Sequence, residues 1–200
     1  RGLACLFVRQ GGCFRFGAEV AGITVRDGCA TGVRLAGGET VAARIVVSNA
    51  DSAHTYGTLV PAQHRRRWTD PRLARARYSM GLFVWYFGTR RRYEDVGHHT
   101  ILLGPRYREL LADIFTRKHL ATDVSIYLHR PTATDPALAP PGCDAFYALA
   151  PVPNLDSATD WTAAAEPFRR TVERRLAATL LPGLDRAIVT SRVLTPRDFA

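Results

Sequence analysis

Lysine and methionine are almost missing: Lys118 and Met80 are the only examples in 200 residues. The 27 basic side chains, set against 18 acidic ones for a net charge of +9, are therefore nearly all arginine. Such a balance favours anionic partners, lipid head groups or nucleic acid, and it is equally what a GC-rich genome produces. No apolar run approaches eighteen residues, which excludes a membrane-spanning helix. The longest candidate, Leu82 to Phe87, has the length of a strand. The four cysteines, Cys5, Cys13, Cys29 and Cys143, form no C-x-x-C pair. That argues against a dithiol redox centre or a zinc framework and for reduced, partly buried side chains. The glycine-rich G-x-G-x-x-G turn is lacking too: Gly11-Gly12 and Gly37-Gly38 have neither its spacing nor the following helix, so that device for seating a pyrophosphate is not here. His98 and His99 are adjacent, and neighbours on a strand point to opposite faces. With no carboxylate or thiol at a supporting spacing, no metal site is expected. Ser52 and His54 lack the context of a nucleophile elbow. There is no methionine at position 1, and the chain opens inside an apolar helical pattern, Leu3, Ala4, Leu6 and Phe7. An internal piece of a longer polypeptide is expected.

What is present is 46% apolar residues, enough for one sizeable core or for one domain and part of another. Residues 2–10 read as a helix end stopped by Gly11-Gly12. From Phe14 to Ala50 the pattern is short strands and glycine turns, with Phe14 and Phe16 alternating and Asp27-Gly28 a hairpin signal. Ile45, Val46 and Val47 are consecutive, as in a strand covered on both faces. Helices are predicted from 51 to 60, from Pro61 to about Trp68, from Pro71, over 106–115, and from Trp161 to about Leu180 behind the N-cap Asp160. Strands are predicted at 79–88, 100–103, 124–128, 145–149 and 188–194, with a proline-rich loop at 130–142. The fold class is α/β (mixed α+β): a small β-rich unit over 1–50, then a mixed sheet with helices over 51–200.

Several blocks in one collinear series carry a resemblance. They are VVSNADSAHTY, SMGLFVWYFG, the stretch from HHTILLGPRYRELLADIF to FYALAPVPNL, and RVLTPRDF. Together they resemble the bacterial-type phytoene desaturases, FAD-dependent carotenoid desaturases, over an internal and C-terminal part of such an enzyme. The resemblance implies a two-domain flavoprotein, with 1–50 part of the FAD-binding domain and 51–200 a substrate domain incomplete at its C-terminus. It implies oxidation of allylic C–C bonds of phytoene, with hydride passing to flavin, to give neurosporene or lycopene. FAD would be held mainly by sequence upstream, and this piece alone would be inactive. A related carotenoid oxidoreductase acting on another polyene is the neighbouring alternative. A basic nucleic-acid-binding module is the alternative from another class, although no helix-turn-helix, zinc or RNA-recognition signature is present and no nucleic acid is expected.

On this resemblance Val20, Ser48, Asn49 and Ala50 are the cofactor-side candidates, against plain β-core on the residues alone. Phe83, Trp85 and Tyr86 are candidates for the wall of an apolar polyene tunnel, against a simple buried strand. Arg65, Arg66, Arg67 and Trp68 read either as a solvated helix face or as a basic, aromatic-anchored surface for an anionic membrane. The implied location is cytoplasmic and peripheral to the membrane, with phytoene and its desaturated intermediates as partners. Asp51, Glu109, Asp113 and Asp123 are the nearest carboxylates. Caps and surface charges account for them, so no catalytic residue is named.

Overall fold

The computed structural model describes residues 2–199, and they fall into two compact units dividing between Arg77 and Tyr78. The first begins with helix α1 (Gly2–Arg9) and a three-stranded antiparallel sheet, β1 (Val20–Arg26), β2 (Cys29–Leu35) and β3 (Thr40–Ala42), in the order β1-β2-β3. Asp27 (φ 50°) and Gly28 (φ 77°) join β1 to β2 with Arg26 opposite Cys29. Two successive left-handed residues are what a two-residue hairpin turn requires, as the Asp-Gly pair predicts. Asp51 then caps a short helix, α2 (Ser52–His54), its carboxylate accepting from Ala53 N at 2.7 Å. The chain continues as a wider turn, Thr55–Leu59, and later as α3 (Asp70–Ala74).

Four expectations for this unit need correction. Residues 44–48 form no strand, and Ile45 and Val47 are 80% and 87% exposed. Apolar β-formers give no ladder without a partner, and no described strand pairs with them. Phe14 and Phe16 do not alternate in a strand but stack on each other, centroids 5.6 Å apart. The helix from Pro61 to Trp68 is a single turn, Ala62–His64, which ends as Arg65 takes up an extended conformation. Its guanidinium instead pairs with Asp70 at 2.6 Å. Cys5, Cys13 and Cys29 are exposed and Cys143 half-buried, all free; the first lies on α1, where no residue is buried.

The second unit is built on a five-stranded sheet in the order β5-β6-β7-β4-β8, antiparallel throughout. Its strands are β4 (Gly81–Thr89), β5 (His99–Leu102), β6 (Ile126–His129), β7 (Asp144–Val152) and β8 (Ile188–Leu194). Helix α4 (Tyr107–Ala112) follows β5, α5 (Trp161–Thr179) follows β7, and α6 (Leu184–Ala187) leads into β8. The Asp160 carboxylate accepts from Thr162 N at 2.9 Å and fixes the start of α5. Trp161, Phe168, Val172 and Leu176 form its buried stripe, the spacing of one helix face. They pack on Phe83, Phe87, Ile126, Leu128, Phe146 and their neighbours in the main core. Each such large side chain contributes about 1.5–3 kcal/mol by burial.

Candidate functional site

Covering one face of the sheet decides the character of the other. In β7 burial alternates without a break from Asp144 to Val152, because Phe146, Ala148, Ala150 and Val152 turn toward α5 and the core. The intervening residues turn outward and stand in register with those of the neighbouring strands. One row across all five strands is His99, His129, Tyr147, Tyr86 and Arg192. The next is Ile101, Tyr127, Leu149, Val84 and Leu194. Directly paired residues share a face, so these ten side chains make one surface. Four interstrand steps of about 4.8 Å give each row a span of roughly 19 Å. Ile101 is 69% and Tyr86 44% exposed, while Val84 alone among the apolar members is buried.

The rings touch along the first row. Tyr86 and Tyr147 have centroids 5.6 Å apart, Tyr147 and His129 meet edge to face at 4.8 Å, and His129 stacks on His99 at 5.2 Å. Burial, and then the neighbouring Tyr127 hydroxyl, holds the Tyr147 phenol above its ordinary value. Burial, followed by the charges of His98 and His99, pushes the His129 imidazole down. Both therefore favour their neutral forms, within a polar aromatic band that runs from His99 to Arg192.

At the Tyr86 end a cleft of about 400 Å³ opens between the sheet and the proline-rich loop. Tyr86, Gly88, Leu138, Pro140, Val189 and Arg192 are among its walls. A Cβ on Gly88 would come within 2.9 Å of Thr190 Cγ2, so glycine lets β8 approach β4 there. The loop is anchored from inside. Arg130 Nε donates to Asp144 Oδ2 at 3.0 Å, Thr132 Oγ1 donates to Oδ1 at 2.7 Å, and Tyr93 N donates to Oδ2 at 2.8 Å. Arg130 and Asp144 are almost wholly buried, so the carboxylate is positioned by the loop rather than free for chemistry.

The predicted tunnel residues fall on two sides. Tyr86 lies in the cleft and on the outward face, one strand in from the β8 edge. Phe83 and Trp85 are sealed on the other side: Phe83 packs against Phe168 at 4.8 Å, and Trp85 Nε1 donates to Ser191 Oγ at 2.7 Å. Of the cofactor-side candidates, Ser48 shares a 2.8 Å hydrogen bond with the Thr55 hydroxyl, and Asn49 and Ala50 follow it, exposed, up to the Asp51 cap. Val20 opens β1, which packs on the same Thr55–Leu59 turn. Trp68 stacks on Tyr56 at 5.8 Å, and the Arg72 guanidinium lies over the Trp68 ring at 4.9 Å. Arg66 and Arg67 are exposed, whereas the Arg65 side chain is nearly buried against Asp70. Asp113 pairs with Arg117 at 2.6 Å and Asp123 with Arg106 at 2.7 Å, so both are structural charges. His129, Tyr147, Tyr127 and Leu149 were not singled out from the sequence. Alternation marks which of them share a face, but only strand pairing brings them into one row.

No family model matches the chain. Curated relatives do. The neurosporene-forming phytoene desaturase of Cereibacter sphaeroides is 53% identical over 95% of this chain and 38% of its own length. That of Rhodobacter capsulatus is 49% identical over 98% of the chain and 39% of its own length. The lycopene-forming phytoene desaturase of a Paracoccus species is 44% identical over 100% and 40%. The chain is homologous to a segment of the phytoene desaturases. It spans about two-fifths of the length of these relatives. Among solved structures, an oxidoreductase from Methanosarcina mazei aligns over 96% of the chain and 40% of its own, with a TM-score of 0.64 at 20% identity. A protein from Pyrococcus furiosus aligns over the same shares with a TM-score of 0.63 at 15% identity. These two show a shared fold. The expected class, mixed α/β, agrees with them.

Proposed function

We propose that this chain supplies the substrate-binding sheet of a FAD-dependent phytoene desaturase, giving neurosporene or lycopene, with its outward face as the floor on which the polyene lies. The observation that carries this is the 53% and 49% identity to two neurosporene-forming desaturases over almost the whole chain. The geometry supports it. A C40 hydrocarbon offers no group for a hydrogen bond, so its site needs length and apolar contact rather than charge. The row from Ile101 through Tyr127, Leu149 and Val84 to Leu194 provides that, and the cleft beside Tyr86 continues it. Phe83 and Trp85 stiffen the same strand from beneath.

Residues 1–50 are proposed to complete the cofactor-binding part, and 51–200 the substrate part. The FAD would supply the acceptor for hydride leaving an allylic C–C bond. Ser48, Asn49, Ala50 and Val20 fit a flanking role: the exposed main chain at 48–50 is fixed by the Ser48–Thr55 bond and the Asp51 cap. They do not fit the pyrophosphate, for which no G-x-G-x-x-G turn exists in the chain. Asp51, Asp113, Asp123 and Asp144 are each engaged, in a helix cap or in pairs with Arg117, Arg106 and Arg130, and no carboxylate is assigned a catalytic role.

The complete natural polypeptide, reconstituted with FAD and given phytoene in vesicles, should yield longer-conjugated polyenes seen as new visible absorption. Absence of any such product with bound flavin and an electron acceptor present would reject the assignment. Arg66, Arg67 and Trp68 are proposed to meet the anionic membrane surface from which so insoluble a substrate is drawn. No helix among the described residues is long and apolar enough to cross a membrane.

A further inference from the structure

At the β5 edge of the outward face three imidazoles converge. His98 lies just before β5, which begins at His99, so the alternation rule that separates neighbours on a strand does not bind it. Its ring turns toward β6, and Nε2 of His98 stands 2.8 Å from Nε2 of His129. His99 is paired with His129 in the ladder and stacks on it. One ring nitrogen from each of the three lies within 4.8 Å of the others.

The far nitrogens of two of these rings are held. His98 Nδ1 contacts the Thr134 hydroxyl, and His99 Nδ1 contacts the Tyr127 hydroxyl at 2.6 Å. A histidine that ligates a metal ordinarily donates its second ring N–H to an oxygen, which fixes the tautomer and leaves the other nitrogen's lone pair free. That arrangement is already present for His98 and His99. The third ring is unsettled: His129 Nδ1 is buried without a hydrogen-bond partner. Its Nε2 meets that of His98, a contact in which only one of the two nitrogens can carry the proton. An ion between these two nitrogens would relieve that conflict, and His129 Nδ1, then the far nitrogen of its ring, lacks the orienting oxygen that the other two rings have.

We infer that His98, His99 and His129 form a binding site for one divalent transition-metal ion, with Tyr127 and Thr134 orienting two of the ligands. Two nitrogens on a tetrahedral ion at 2.0–2.1 Å stand about 3.3 Å apart. The His98–His129 pair must open by about half an ångström and the widest pair close by about 1.5 Å, within reach of ring rotation. Three neutral imidazoles with no thiolate or carboxylate suit Zn²⁺, Co²⁺, Ni²⁺ or Cu²⁺ and not Mg²⁺ or Ca²⁺. A fourth position stays open to water. Bound there, the ion ties the edge strand β5 and the loop at Thr134 to β6. The inference does not depend on what the rest of the face binds.

Co²⁺ titration of the metal-stripped complete natural polypeptide tests it. The expected result is one equivalent bound, with the intense visible bands of a four-coordinate ion, displaced by Zn²⁺ and unaffected by excess Mg²⁺. His99→Asn, at an exposed position, and His98→Asn should each weaken binding at least tenfold. Tyr127→Phe should weaken it about tenfold through loss of the orienting hydrogen bond. Melting in EDTA checks that the variants fold, and if His98→Asn does not, His99→Asn decides. No saturable Co²⁺ at one equivalent, or titration of the folded His99→Asn variant indistinguishable from wild type, would overturn the site.

Discussion

Tyr86 and Tyr147 meet across β4 and β7 with ring centroids 5.6 Å apart, on the opposite side of the sheet from Phe83 and Trp85. The strand that carries Tyr86 thus packs on one face and, in the function proposed above, meets the polyene on the other. Phe83→Ala should cost about 3–5 kcal/mol, since the side chain is fully buried against Phe168 and Trp161. Tyr86→Ala, from a position 44% exposed, should cost under about 1 kcal/mol while impairing substrate use. Denaturant unfolding of the two variants compares them directly.

The anchoring of the proline-rich loop depends on a buried charge pair. Asp144→Ala leaves Arg130 unpaired in the interior, a change expected to cost about 3–5 kcal/mol. Replacing both, as in Arg130→Met with Asp144→Leu, should recover part of that loss, because a buried pair is worth little against apolar residues of similar size. A double variant no more stable than Asp144→Ala alone would show that the hydrogen bonds to Thr132 and Tyr93 matter more than the charges.

Along α5, hydrogen bonds from Arg169 and then Arg170 hold the Glu166 carboxyl down at about 2, below its ordinary value of 4.5. A folded-state value below the unfolded one stabilises fully above about 4.5 and is lost as pH falls through about 2. Glu166 is half exposed, so the effect should stay below about 1 kcal/mol. Melting temperatures of wild type and Glu166→Gln should differ near pH 6 and converge near pH 2. A difference that persists at pH 2 would assign it to packing.

Legibility in the sequence followed the range of the interaction. β8 was read residue for residue at 188–194, and the Asp160 cap and the Asp27-Gly28 turn were read correctly, because each is set by side chains within a few positions. Residues 44–48 were misread since β-propensity without a pairing strand makes no ladder. The Pro61–Trp68 helix stops at Arg65, which is extended and pairs with Asp70, a partner the helical pattern did not reveal. Strand alternation announced that Tyr86 and Phe83 face apart, but the tunnel candidates were chosen as aromatics, not by face. The His98–His129 contact spans 31 residues, and only the pairing of β5 with β6 reveals it.

Exposed arginines beside a stacked tryptophan set the expectation for membranes. Arg66→Glu with Arg67→Glu should weaken flotation with anionic vesicles, each cation near the surface being worth about 1 kcal/mol before screening. Arg65→Glu is the poorer probe, because it also breaks the pair with Asp70. Equal flotation of the double variant and wild type at low salt would remove this segment from the membrane surface.

The placement of the polyene on the outward sheet face is tested most directly by steady-state kinetics of Leu149→Glu in the complete natural polypeptide. Leu149 sits mid-row, half-buried between Tyr127 and Val84, so a carboxylate there would oppose a hydrocarbon. With phytoene in vesicles, KM should rise at least tenfold, about 1.4 kcal/mol, in a variant that retains flavin. Arg170→Gln, remote on α5, should behave as wild type. Unchanged KM and kcat for a folded, flavin-loaded Leu149→Glu variant would contradict the account.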